Sequence, residues 1–191
     1  MPHFNHTFFP LLKNYNDKFF SEYKTFIETG THLGNTTFAM EPYFEKIHTI
    51  EIKKYLFENT KSKYKGNKIQ FHLGDSSILL KDICLNIKTP AVFFLDGHWS
   101  CGNTGKGSKE VPLYEELHNI INFFENKAII IIDDFRLFGK GPKTNTEIVN
   151  WEDINKNKVL DIVNKRLSLC YNLPSNMSID DRLILHIDKL T

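Results

Sequence analysis

Cysteine is scarce in this chain, with three residues in 191. Cys84, Cys101 and Cys170 are odd in number and lack paired metal-ligand spacing. That argues against a disulfide framework and for structural thiols in a reducing compartment. Charge of one sign is missing too: 24 Lys and Arg face 23 Asp and Glu, a net charge of +1. No strong field toward nucleic acid or a membrane is expected from that balance, although a local basic patch stays open. Long hydrophobic runs are absent, and the N-terminus, with His3 and His6, has no basic segment followed by an apolar one. A soluble, cytoplasmic protein is the expectation. The pairs Gly105-Lys106 and Gly139-Lys140 lack the spacing and the following Ser or Thr of a phosphate-binding loop, which excludes a P-loop NTPase. With no repeat and no linker, residues 1–191 are expected to form one domain, and the length suffices for a sizeable core.

What is present is a series of apolar runs ending in acid. The run from Ala91 ends in Asp96-Gly97-His98, and the run from Ala128 ends in Asp133-Asp134. Both read as buried strands of a parallel sheet, with carboxylates at the ends where open α/β sheets bind ligands. Apolar runs alternate with stretches of helical period, which predicts βαβ units. Strands are expected near 25–29, 47–52, 68–73, 90–96 and 127–133, and helices near 35–45, 53–64, 76–87 and 111–125. Residues 11–24 read as an amphipathic helix within an N-terminal lead-in, 1–23. Residues 24–135 make the ligand-binding core. After a polar loop, a helix over 151–166 and two runs, 167–171 and 182–188, predict an antiparallel hairpin on the sheet edge. The fold class is therefore α/β, a Rossmann-like doubly wound, mostly parallel sheet with helices on both faces. Two long loops, 97–109 and 135–150, leave the same end of the sheet as the acids and are candidate lids.

Residue chemistry narrows the ligand. Glu28, followed by Gly30 and Gly34 in a tight turn, offers a carboxylate to an ammonium group. Glu51 can accept both hydroxyls of a ribose. Asp75, beside Ser76, can meet an exocyclic amine, or can cap the helix that begins there. Together these suit a ligand containing an amino acid and an adenosine. The ordered series of acids at successive strand ends is harder to obtain by chance than any member of it.

At these residues the chain resembles the class I S-adenosylmethionine-dependent methyltransferases. The resemblance covers residues 24–135 and implies that Glu28, Gly30, Thr31 and Gly34 hold the methionine part of the cofactor. Glu51 would hold the ribose, and Asp75 with Ser76 the adenine. The turn departs from the commoner form in having Thr31 or His32 where a second glycine stands. A closer likeness is to the metal-dependent, macrocin O-methyltransferase-like sugar O-methyltransferases. It implies that Asp96, Asp133 and Asp134 bind a divalent cation, with Asp96 also at the cofactor. His98 stands where the family has a third acid, so it becomes the base proposed to deprotonate the acceptor.

Elementary electrostatics supports the metal. Three carboxylates at adjacent strand ends repel one another, and Mg²⁺ or Mn²⁺ relieves that with hard oxygen ligands. A histidine with a pKa of about 6.5 can take a proton near neutral pH, or can itself ligate. Asp134 has a rival role as a turn cap. Trp99 can stack on a sugar, while Lys106, Lys109, Arg136 and Lys140 can meet a phosphate or serve only for solubility. The expected partner is a small hydroxylated acceptor, a sugar or nucleotide sugar, with no nucleic acid and no membrane. A homo-oligomer completing the pocket is left open. Rival readings are a nicotinamide-dependent oxidoreductase and a non-catalytic nucleoside-binding module.

Overall fold

A computed structural model describes residues 4–142 and 149–190. Seven strands form one sheet: β1 (Thr25–Thr29), β2 (Lys46–Glu51), β3 (Ile69–Leu73), β4 (Ala91–Leu95), β5 (Ala128–Ile132), β6 (Leu167–Leu173) and β7 (Arg182–Ile187). Their order is β3-β2-β1-β4-β5-β7-β6. The pairings are parallel from β3 to β5, whereas β7 runs antiparallel to both β5 and β6. The hairpin is thus as expected, with its second strand inside the sheet.

Strands β4 and β5 are apolar throughout because both faces are covered. Phe93, Leu95, Ile130 and Ile132 join a core with helices α4 (Ser76–Asn86), α5 (Leu113–Phe123) and α6 (Lys156–Val163). Val92, Phe94, Ile129 and Ile131 face the opposite way. They meet an aromatic layer of Phe4, Phe8, Phe9, Phe19 and Phe44, together with Met40 from helix α2 (Asn35–Met40). Helix α3 (Lys54–Lys63) follows β2 and buries Leu56 and Thr60.

Three helical expectations are corrected, the helix expected over 35–45 ending at Met40. In place of a helix over 11–24 stand a 3-10 helix, His6–Leu11, and the single turn α1, Phe19–Glu22. Asn14 between them has φ of 66°, a left-handed conformation that interrupts any helix. The helix expected over 151–166 starts only at Lys156. Trp151 and Ile154 are drawn into the core, and Asn155 caps the helix by accepting from Lys158 N at 2.9 Å. Part of the expected 135–150 loop lies outside the described residues, as do residues 1–3 of the lead-in.

Candidate active site at the carboxyl ends of the strands

The register brings the predicted residues together. Thr29 pairs with Ile50 and Leu95, Leu95 with Ile132, and Ile132 with Leu183. Gly30, Glu51, Asp96 and Asp133 therefore all stand one residue beyond the row Ile50-Thr29-Leu95-Ile132, Glu51 still paired with Leu73 of β3. They line one cavity of about 650 Å³, a size suited to a nucleoside cofactor with part of an acceptor.

At one end lies the turn after β1. Gly30 and Gly34 have φ of 84° and 78°, and a side chain on Gly30 would put its Cβ 2.3 Å from the Asp96 carbonyl oxygen. The glycine is required by the close packing of two strand ends as well as by the turn. Thr31 is buried, its hydroxyl 2.6 Å from that of Thr49. Glu28 is also buried and accepts from the hydroxyls of Thr37 and Thr49. Burial pushes its pKa up to about 8 against the opposing pull of those hydrogen bonds, with Asp96 and Glu51 adding to the rise. Glu51 accepts from the backbone N–H of His32 and of Lys53, one at each carboxylate oxygen, both at 2.8 Å. Two backbone donors fix its plane at the cavity wall.

Asp75 takes the capping role. It accepts from Ser77 N at 2.9 Å, and its other oxygen accepts from Ser108 N at 3.1 Å. Burial alone would raise its pKa, but the bonds from Ser77 and Ser108 prevail and hold it below the ordinary value. Ser76 faces inward and donates to Glu116 Oε1 at 2.6 Å, so its hydroxyl proton is committed within the protein. The loop from Gly97 to Lys109 folds across this end. Lys53 Nζ donates to Asn103 O at 2.7 Å, and Gly105 and Gly107 press on Ile52 and Asp75 so closely that a Cβ would lie 2.2 and 2.5 Å away.

At the other end the expected metal ligands divide into two overlapping groups. Asp96, His98 and Asp134 bring one ligand atom each within 4.8 Å of one another, and so do Asp133, Asp134 and Asp181. The His98 ring lies between two acids, Nδ1 at 3.4 Å from Asp96 Oδ1 and Nε2 at 3.5 Å from Asp134 Oδ2. Ser100 Oγ is 2.9 Å from Nε2, and Trp151 packs edge-on against the ring at 4.9 Å between centroids. Asp134 has φ of 60°, a conformation aspartate tolerates and one that turns it toward His98. Arg136 Nη1 bonds both Asp134 Oδ1 and Asp181 Oδ2, the latter at 2.8 Å. Arg182 Nε lies 3.3 Å from Asp133 Oδ1. Burial first, and Asp96 second, push Asp133 up to about 8 despite that arginine, while burial also raises Asp134 against the pull of His98. A mostly oxygen donor set with one imidazole is of the kind that takes Mg²⁺ or Mn²⁺.

Sequence reasoning missed Asp181, Arg182, Glu116 and Trp151. The signal for the first two was legible. Asp181 and Arg182 open the last apolar run, and an antiparallel strand beside β5 must start where β5 ends. Nothing in the pattern marked Glu116 or Trp151. Trp99 packs partly buried on the core with Lys106 Nζ over its ring at 4.6 Å. Lys106 pairs with Glu110 and Lys109 with Glu115. These pairings leave the sugar-stacking and phosphate roles expected of that loop without support. Among the described residues no helix is long and apolar enough to cross a membrane.

The architecture is that of the Rossmann-like methyltransferases. The fold matches human methyltransferase-like protein 13 in complex with SAH, with a TM-score of 0.55 at 14% identity, covering 92% of this chain and 78% of that one. It also matches an rRNA methylase from Streptococcus thermophilus, with a TM-score of 0.50 at 16% identity and 89% of each chain covered. A third match is the N-methyltransferase NodS from Bradyrhizobium japonicum, with a TM-score of 0.52 at 12% identity, covering 90% and 89%. No protein-family model and no curated protein matches the chain.

Proposed function

We propose that the chain is an S-adenosylmethionine-dependent methyltransferase that methylates a hydroxyl of a small acceptor with the help of a divalent cation. The acceptor class favoured is a sugar or nucleotide sugar, whose neighbouring hydroxyls suit chelation. One observation carries the reading: a single cavity holds Glu28, Glu51 and the turn after β1 at one end and Asp96, His98 and Asp134 at the other. A nicotinamide cofactor would use the first end but gives the second no task.

In this reading Glu51, its plane fixed by two backbone donors, receives the ribose hydroxyls. Glu28 and Asp96 face the cationic amino-acid part. Asp96 and Asp134, with Asp133 or His98, would hold a divalent cation, which would supply positive charge that makes an acceptor hydroxyl more acidic. His98, with Asp96 at Nδ1 and with Ser100 Oγ and Asp134 at Nε2, is the candidate proton acceptor beside the acceptor hydroxyl. The 7% exposure of its ring keeps that exchange away from bulk water. Holding acceptor and methyl donor in one cavity makes the encounter effectively intramolecular.

The test is thermal stability of metal-stripped protein with adenosylhomocysteine, alone and with Mg²⁺. A rise with the nucleoside and a further rise with metal are expected, and NAD should give neither. No response to adenosylhomocysteine would overturn the reading.

A further inference from the structure

Glu116 is a carboxyl at a core position. It lies on α5 among Leu113, Leu117 and Ile120, with 1% of its surface exposed. A leucine would satisfy the packing there, whereas a buried acid costs desolvation and persists only with hydrogen-bonding partners. Its partners come from the start of α4 and the end of β1. Ser76 Oγ donates to Oε1 at 2.6 Å, and the Thr29 side chain also bonds the carboxyl. Asp96 N in turn donates to Thr29 Oγ1 and to the Thr29 carbonyl, each at 3.3 Å. Gly97 lies directly on this assembly: a Cβ there would be 2.8 Å from Glu116 Oε1 and 3.0 Å from Thr29 Oγ1. The turn carrying Asp96 and His98 therefore rests on the carboxyl, and the glycine between them is the residue that allows it.

We infer that Glu116 is a positioning residue, which acts through Thr29 to fix Asp96 at the height where it faces the cavity. It touches neither cofactor nor acceptor. The inference rests on the reading of Asp96 as a cation ligand, so the experiment follows Mn²⁺ directly. Mn²⁺ affinity is read from the paramagnetic resonance of the free ion, and adenosylhomocysteine affinity by calorimetry, for wild type, Glu116→Gln, Glu116→Ala and Thr29→Val. Glu116→Ala and Thr29→Val should weaken Mn²⁺ binding by about tenfold to a hundredfold, the range for partners that orient a metal ligand. Adenosylhomocysteine affinity, to which Glu28 and Glu51 contribute beside Asp96, should fall less than Mn²⁺ affinity, and Glu116→Gln, which keeps an acceptor oxygen, should restore both. Unchanged Mn²⁺ affinity in both weakened variants overturns the inference. So does a joint loss of both affinities without recovery in Glu116→Gln, which marks a purely structural residue. If Glu116→Ala does not fold, Thr29→Val carries the test, since it keeps side-chain shape and removes only the hydroxyl link. If wild type binds no Mn²⁺, the metal reading has failed by itself. Hydrogen exchange at the Asp96 amide then decides the positioning role: faster exchange in Thr29→Val supports it, and unchanged exchange rejects it.

Discussion

Arg182 Nε lies 3.3 Å from Asp133 Oδ1, with 9% and 8% of the two side chains exposed. Phe4 and Phe8 hold the same guanidinium at 5.5 and 5.0 Å from their ring centres. Replacing Arg182 leaves the buried Asp133 without the cation that faces it, at a cost of up to about 3–5 kcal/mol. Arg182→Met should lower the urea midpoint accordingly, and adding Asp133→Asn should recover much of the loss. Equal stability of the single and double variants would show that the pair is not coupled.

The buried Glu28 makes stability depend on pH in the direction opposite to an ordinary carboxylate. Its folded pKa of about 8 lies above the ordinary 4.5, so between these values the folded state keeps a proton that the unfolded state has lost. Its contribution is therefore full below the lower value and is lost as pH rises through the upper one. Wild type should lose denaturant resistance from about pH 5 to about pH 9, and Glu28→Gln should flatten the decline. A parallel slope in the variant would assign the effect to other groups.

Glu51 should control affinity for the nucleoside. A hydrogen bond to a charged group contributes about 1.5–3 kcal/mol, so Glu51→Gln should weaken adenosylhomocysteine by about tenfold to a hundredfold. Calorimetry reads this directly. Wild-type affinity in the variant would remove Glu51 from the ribose.

Asp134 allows the two ends of the cavity to be tested separately. Asp134→Asn should abolish the Mg²⁺ increment in thermal stability while leaving the shift caused by adenosylhomocysteine. A retained Mg²⁺ increment would place the cation elsewhere.

Arg166 carries fold stability alone. Nη1 donates to Ile121 O at 3.0 Å and Phe124 O at 2.6 Å, Nη2 to Asn126 O at 2.6 Å, and Nε to Asp188 O at 2.9 Å. The guanidinium satisfies the carbonyls at the end of α5 and ties them to the chain after β7. A lysine lacks this planar fork, so Arg166→Lys should cost at least about 2 kcal/mol, with ligand affinities unchanged well below the melting temperature.

The parallel half of the fold was legible because strands covered on both faces must be apolar throughout, and Ala91–Leu95 and Ala128–Ile132 are. The acids after them were legible for the same reason: polarity resumes where the sheet ends. Helix limits were not, since a buried Trp151 or a left-handed Asn14 reflects tertiary packing that no period encodes. Asp181 and Arg182 belong to the site only because β7 runs backward beside β5. Glu116 sits in phase with leucines on α5, where a pattern of hydrophobicity registers only an interruption. Its meaning lies in the helix start and strand end that it meets.

The placement of β7 also sets an order for assembly. It is the last strand in chain order, yet it lies between β5 and β6 and brings Asp181 and Arg182 to the acids. During synthesis the parallel half of the sheet can leave the ribosome and begin to pair while this stretch is still in the exit tunnel. The edge of β5 then stays open, with Asp133 lacking its arginine. The edge of the sheet beside Asp133 is therefore closed only after translation has passed β7, and a nascent chain stalled before Asp181 should leave that edge open.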